Sequence, residues 1–273
     1  MGAEEGFLVK KEVAYDDGHV VQRLDAYLVA SDSPVPVVVF FHGGGWRGGS
    51  KSQVPGFLMG AVKEGRFSVV AVEYRFTDVA VHPAQVNDCA RAVQFVRSKA
   101  KAWNLDPGRI GVCGGSAGGH LSLWVALHDD FAKVDSEDPV ERESSRVACA
   151  ISFAGPADWG LLKGIEHGHP AYRQLIGYTP GTAFEEMDAA RVVDVSPISF
   201  ASKDDPPVLL VHGDADVIVP VQHARELHAR LDAVGGESEL FEVAGRRHDV
   251  AGAGGEAVVG RSLAFLKQHL GGE

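Results

Sequence analysis

The sequence predicts an α/β fold, with a mostly parallel central sheet of about eight strands and helices on both faces. Three observations carry that reading. Short apolar, β-branched runs alternate with stretches of helical period along most of the 273 residues. No internal repeat or low-complexity linker breaks the alternation. A hydrophobic content of 45% is enough for one large core or two modest ones and excludes a disordered or fibrous chain. Residues 1–273 are expected to form a single domain. A small cap-like insertion is expected around 155–205, where Gly, Pro and aromatic residues gather between two strands.

The expected strands are Phe7–Tyr15, Arg23–Val29, Val37–Phe41, Ser68–Glu73, Arg109–Cys113, Val147–Phe153, Pro207–His212 and Ser238–Val243. The first two are polar enough to form an antiparallel edge. Between strands, Ala84–Trp103 sets Val86, Ala90, Val93 and Val96 on one helical face, as a helix covering a sheet requires. Asn104-Leu105-Asp106-Pro107-Gly108 then breaks it. Ala117–His128, Val221–Val234 closed by Gly235-Gly236, and a last helix over roughly Gly252–Leu270 complete the set.

Charge and cysteine usage narrow the function. With 37 Asp and Glu against 26 Lys and Arg, the formal charge of −11 would repel nucleic acid and anionic lipid, and no basic patch offsets it. No run of about 20 apolar residues is present, so a membrane span is not expected. Met1 to Phe7 lacks the basic-then-apolar order of a secretion signal, so the chain is expected in the cytoplasm, or secreted after its signal has been removed. Cys89, Cys113 and Cys149 lie in apolar runs without Cys-x-x-Cys spacing, which supports neither zinc nor a disulfide framework.

The chemistry sits in Gly114-Gly115-Ser116-Ala117-Gly118, directly after the strand Arg109–Cys113 and directly before the helix Ala117–His128. A serine on so tight a strand-to-helix turn is exposed and strained, and small neighbours let the adjoining backbones pass. The helix start also aims unpaired N–H groups, Ala117 first, at the place where an oxyanion would form. Alone, the pattern is more often a glycine-rich turn of no consequence. A second feature argues for catalysis: His42-Gly43-Gly44-Gly45-Trp46 follows the strand Val37–Phe41, and the N–H groups of Gly44 and Gly45 can converge on one oxygen because no Cβ blocks the approach. The overlapping Gly43-Gly44-Gly45-Trp46-Arg47-Gly48 fits a dinucleotide fingerprint, but it follows the third strand, and Trp46 and Arg47 would crowd a pyrophosphate. Gly49-Ser50-Lys51-Ser52 lacks the adjacent Gly and Lys of a phosphate loop.

A nucleophilic serine needs a base, and the base an orienting acid. His248 follows the strand Ser238–Val243, and Asp216 follows Pro207–His212, so both arrive at the sheet edge that carries Ser116. Asp158 and Asp214 are alternative acids, Asp214 being also readable as a turn residue bonding its own backbone. His223 and His228 lie within one helix, His269 ends another, and His19 lies between the edge strands. His120, four residues past Ser116, points into the fold as a structural hydrogen-bonding group. His167-Gly168-His169 has no acidic partner at ligand spacing, so no metal site is expected.

With these pieces in order, the chain resembles the α/β-hydrolases of the branch that includes hormone-sensitive-lipase-like carboxylesterases and the acetyl-xylan and feruloyl esterase-like (BD-FAE) proteins. The likeness runs from Leu24 to Leu270. It also takes in Asp88 in the Pro83–Ala100 helix, Asp106-Pro107-Gly108-Arg109, Ser196-Pro197-Ile198, Asp205-Pro206-Pro207 and Val219-Pro220. It implies Ser116 as nucleophile, Asp216 as acid, His248 as base, and Gly44, Gly45 and Ala117 as oxyanion donors, with no cofactor. It also implies a carboxylesterase acting on short acyl esters, such as acetyl groups on carbohydrate or aromatic alcohols, at a pocket edged by Trp46 and Trp159, with Tyr172 and Phe184 nearby. Two departures stand out: a short 155–205 segment, and Arg246 and Arg247 beside the base, read as solvated cations that would favour an acidic substrate only if they reached the pocket. An arylformamidase or small amidase would use the same machinery. A non-catalytic ligand-binding member of the fold is a third reading, set against the presence of all three triad side chains.

Overall fold

The computed structural model describes residues 3–4, 6–163 and 169–271. Its strands are β1 (Ala3–Glu4), β2 (Phe7–Ala14), β3 (Arg23–Val29), β4 (Val35–Phe41), β5 (Ser68–Val72), β6 (Leu105–Gly115), β7 (Cys149–Phe153), β8 (Val208–Gly213) and β9 (Ser238–Val243). They form one sheet in the order β1-β2-β3-β5-β4-β6-β7-β8-β9. The polar N-terminal strands are antiparallel, through the β3–β5 pair, and the six from β5 across to β9 are parallel. Every residue of β4, β5, β7 and β8 is buried, as parallel strands covered on both faces must be. All eight expected strands form, and β1 adds two residues to the edge.

The helices are α1 (Gly56–Lys63), α2 (Ala84–Ser98), α3 (Ala100–Trp103), α4 (Ala117–Leu127), α5 (Ala171–Leu175), α6 (Ala189–Val195), α7 (Gln222–Val234), α8 (Val250–Ala253) and α9 (Gly255–Leu270). They cover both faces. A Cβ on Gly111 would meet Leu270 of α9 at 3.0 Å, whereas one on Gly114, three residues on and so facing the other way, would run into Gly118 of α4.

The expected helices needed adjustment. Ala84–Trp103 is two helices divided at Lys99, and Asn104 ends the second in the left-handed region at φ 53°. The segment after it, expected as a break, begins β6, because Leu105 pairs with Val35 while Asp106 Oδ1 accepts from Gly108 N at 2.8 Å. Helix α1 was not expected. Its buried Leu58, Ala61 and Val62 have helical spacing, but Gly56 and Gly60 weaken the signal. The last helix starts at Gly255 behind the one-turn α8, whose first turn is capped by Asp249 accepting from Gly252 N at 3.1 Å.

The loops that leave the C-terminal ends of β4, β6, β8 and β9 carry His42–Trp46, Ser116, Asp216 and His248. All four therefore open at one edge of the sheet, where open α/β folds place their sites. Among the described residues, the segment between β7 and β8 holds α5, α6 and three 3₁₀ turns. It is tied to α4 by Trp124 Nε1 donating to Asp194 O and His120 Nε2 donating to Val195 O, each at 2.8 Å.

Candidate active site

Ser116 is the turn residue between β6 and α4, at φ 55° and ψ −119°, a backbone conformation that costs a non-glycine residue energy. The turn is held by Ser116 N donating to Phe153 O at 2.8 Å and by His120 N donating back to Ser116 O at 3.0 Å. That geometry lifts Oγ off the strand toward His248, whose Nε2 lies 2.8 Å away. His248 Nδ1 lies 2.7 Å from Asp216 Oδ2. Because a carboxylate only accepts, the ring proton belongs on Nδ1, and Nε2 presents its lone pair to the serine hydroxyl.

Asp216 is placed by its own loop. Its Oδ1 accepts from Ile218 N at 2.8 Å and Val219 N at 3.0 Å, and His212 Nε2 lies 3.5 Å from Oδ2. Burial pushes the carboxyl upward, but hydrogen bonds from His212, His248 and the two backbone amides outweigh it and hold the group well below the usual carboxylate range. The anion is thus built into the fold. The other two candidate acids are employed elsewhere: Asp158 accepts from Gly160 N at the start of a 3₁₀ turn, and Asp214 Oδ1 accepts from Gly245 N at 2.6 Å. Asp214 therefore bonds not its own backbone, as expected, but the turn that leads to His248.

The glycine loop lies against this turn: a Cβ on Gly43 would stand 2.9 Å from Gly115 O and 3.6 Å from Ser116 Cβ. Gly44, at φ 117°, also approaches Gly48 O so closely that no side chain fits. Behind the loop, the buried His42 ring reaches from Gly43 O, 2.7 Å from Nδ1, to Glu73 Oε1, 3.0 Å from Nε2, and Glu73 Oε2 accepts from Lys51 N. Among the described residues, the N–H groups of Gly44, Gly45 and Ala117 have no protein acceptor. Gly44 and Gly45 border the same cavity as Ser116 and His248.

Two cavities meet at Ser116 and His248. The larger, about 550 Å³, has an apolar wall of Pro55, Phe57, Phe153, Ala251 and Val259. The smaller, about 360 Å³, is bounded by Trp46, Arg47, His169, Tyr172 and Ile218. Trp46 does border the site, largely buried. Trp159 does not: it is fully buried behind Trp46 and Tyr172, its indole N–H donating to Tyr172 O at 3.1 Å, because a large apolar ring in this short segment is needed to pack it onto α4. Phe184 borders neither cavity. Arg246 and Arg247 are exposed and line neither one. His167 and Gly168 lie outside the described residues, whereas His169 reaches the smaller cavity. The sequence reading missed His169, Arg47 and the α1 wall. Arg47 adjoins Trp46 in the glycine loop and was legible there; His169 comes from a distant segment, and the α1 wall was hidden by the glycines of that helix.

His120 has the supporting role expected of it, accepting from Trp46 Nε1 at Nδ1 (3.2 Å) and donating from Nε2. His223 accepts from Ala157 N and Asp158 N and pairs with the Tyr172 hydroxyl. Burial pushes both rings down to about 3 from the ordinary 6.5, so both stay neutral in the folded protein at pH 5. The unfolded chain takes up these protons below 6.5 and the native state does not. Stability is therefore full above that value and is eroded as pH falls toward 3, by about 2 kcal/mol per histidine at pH 5. Denaturant unfolding at pH 7 and 5, with NMR titration of the two rings, checks this; a ring midpoint near 6.5 would contradict it.

The sequence matches the BD-FAE family model over residues 24–231. It is 30% identical over 249 residues to the probable carboxylic ester hydrolase LipM of Mycobacterium tuberculosis, covering 87% of this chain and 56% of that one. The chain thus spans little more than half the length of the curated relatives it matches. Among solved structures, a truncated carbohydrate esterase from gut microbiota superposes with a TM-score of 0.83 at 26% identity, covering 98% of each chain. An acetyl ester-xyloside bifunctional hydrolase from Caldicellulosiruptor lactoaceticus does so at 0.72 and 27%, covering 91% of this chain and 84% of that one.

Proposed function

The chain belongs to the BD-FAE family of α/β-hydrolases, and from that membership we propose that it is a serine carboxylic-ester hydrolase acting on short-chain acyl esters of carbohydrate or aromatic alcohols. The observation that carries this reading is the unbroken line from Ser116 Oγ through His248 to Asp216, at 2.8 and 2.7 Å. His248 Nε2 takes the serine proton as Oγ attacks the ester carbonyl. The tetrahedral oxyanion is received by the free N–H groups of Gly44, Gly45 and Ala117, and His248 then delivers its proton to the leaving alcohol. Water, deprotonated by the same imidazole, releases the acid from Ser116. The described part of the 155–205 segment serves as a small cap over the site.

The unequal cavities support the substrate class. The smaller, next to the glycine N–H donors and bordered by the rings of Trp46 and Tyr172, suits a short acyl group; the larger suits a sugar or aromatic alcohol. The likeness to a carbohydrate esterase and to an acetyl ester-xyloside hydrolase points the same way. A panel of p-nitrophenyl esters from acetate to octanoate, run beside acetylated xylan, methyl ferulate and N-formylkynurenine, tests it. Acetate is expected to exceed hexanoate in kcat/KM. Faster turnover of hexanoate or longer esters would refute the short-acyl assignment, and preferential turnover of N-formylkynurenine would refute the ester class.

A further inference from the structure

Arg47 stands at the mouth of the smaller cavity in a protein whose formal charge is −11. Its position is fixed by the glycine loop. Trp46 adopts φ 57°, Arg47 N donates to Gly44 O at 3.2 Å, and Trp46 O accepts from Thr77 N at 2.9 Å. The guanidinium lies over the oxyanion loop, Nε being 3.8 Å from where a Cβ on Gly45 would stand. Nη1 donates to the Gln174 side chain of α5 at 2.8 Å, a neutral partner that orients the group without cancelling its charge. Among the described residues no carboxylate comes within ion-pair distance of it.

His169 faces the same point, its Cε1 also 3.8 Å from that Cβ position. Its Nδ1 accepts from Ala171 N at 3.3 Å, so the ring proton is on Nε2, a second donor for the cavity. Burial, with the nearby Arg47 and His248, lowers its basicity. Near neutral pH the arginine is therefore, among the described residues, the fixed positive charge of this cavity. A guanidinium whose other N–H groups have no acceptor among the described residues is matched by a carboxylate, which it can hold by two parallel hydrogen bonds. Because the rest of the protein repels anions and salt screens charge beyond about 8 Å, this attraction acts only at contact.

We propose that the smaller cavity selects esters whose short acyl group ends in a carboxylate, such as hemiesters of a three- or four-carbon dicarboxylic acid, and that Arg47 is the residue that recognises it. This rests on the hydrolase reading above and adds the acyl class to it. The test compares monobenzyl succinate with benzyl butyrate, two esters of one alcohol and equal acyl length, in the wild type, Arg47→Gln and Arg47→Lys. In Arg47→Gln the succinate-to-butyrate ratio of kcat/KM should fall about tenfold or more, chiefly through KM. Arg47→Lys should recover part of it. A ratio unmoved by Arg47→Gln, or equal losses on both esters, would overturn the inference, equal losses meaning that Arg47 only holds the loop. A second pair, 4-(acetoxymethyl)benzoate and benzyl acetate, carries the carboxylate on the alcohol. If only this pair responded to Arg47→Gln, the acyl-side assignment would be wrong. A wild type inactive on all four of these esters and on p-nitrophenyl acetate would instead refute the hydrolase reading itself.

Discussion

Ser116→Ala is expected to lower kcat on p-nitrophenyl acetate by about 10⁴- to 10⁶-fold, leaving only the residual rate that binding and oxyanion donors provide. The fold should survive. Among the described residues Ser116 Oγ hydrogen-bonds to His248 alone, while the turn itself is held by backbone bonds to Phe153 and His120 that alanine retains. Alanine also has the same Cβ as serine, so the cost of φ 55° is already present in the native protein. Circular dichroism and thermal melting should therefore overlay the wild type. A pre-steady-state burst of p-nitrophenol persisting in the variant would remove Ser116 from the mechanism, because no acyl-enzyme could then form there.

Asp216→Asn should cost about 10⁴-fold in kcat with little change in shape. The reason lies in the hydrogen-bond directions around the side chain. Two backbone N–H groups, of Ile218 and Val219, point at Oδ1, so the amide oxygen must take that side and the amide NH₂ must face His248 Nδ1. Nδ1 then has to accept, the ring proton moves to Nε2, and the lone pair that would receive the serine proton is gone. A loss smaller than about tenfold would mean that Asp216 only packs beside the histidine. The natural carboxylate resists this failure down to strongly acid pH, since its hydrogen bonds outweigh its burial.

Much of this was legible in the chain. The strands were readable because buried parallel strands are continuous apolar runs, and β4, β5, β7 and β8 contain little else. The serine turn was readable because one strand, one serine among glycines and one helix follow without a gap. Helix α1 was hidden by two glycines, and the start of β6 by Pro107 and Gly108, since local propensity at both points is overridden by packing on the sheet. The choice of Asp216 over Asp214 and Asp158 leaned on resemblance. Two carboxylates two residues apart differ only in which way the loop turns them, one toward His248 and the other toward Gly245 N.

The cations show the same division. Arg246 and Arg247 are beside His248 in sequence yet face solvent, while Arg47, some two hundred positions away, shares a cavity with it. Trp159, an expected pocket wall, supports from behind the Tyr172 that does line the pocket. By itself the sequence determined the order of the strands, the longer helices α2, α4, α7 and α9 between and after them, the serine turn, the glycine loop and the set of groups able to act as base and acid. These are written in local pattern, where each residue's neighbours along the chain fix its backbone. Only the tertiary structure decided which aspartate meets His248, which arginine reaches the cavity and which tryptophan borders it. Side-chain direction at a loop is set by contacts with segments far away in the chain, and those contacts exist only once the sheet has brought the loops to one edge.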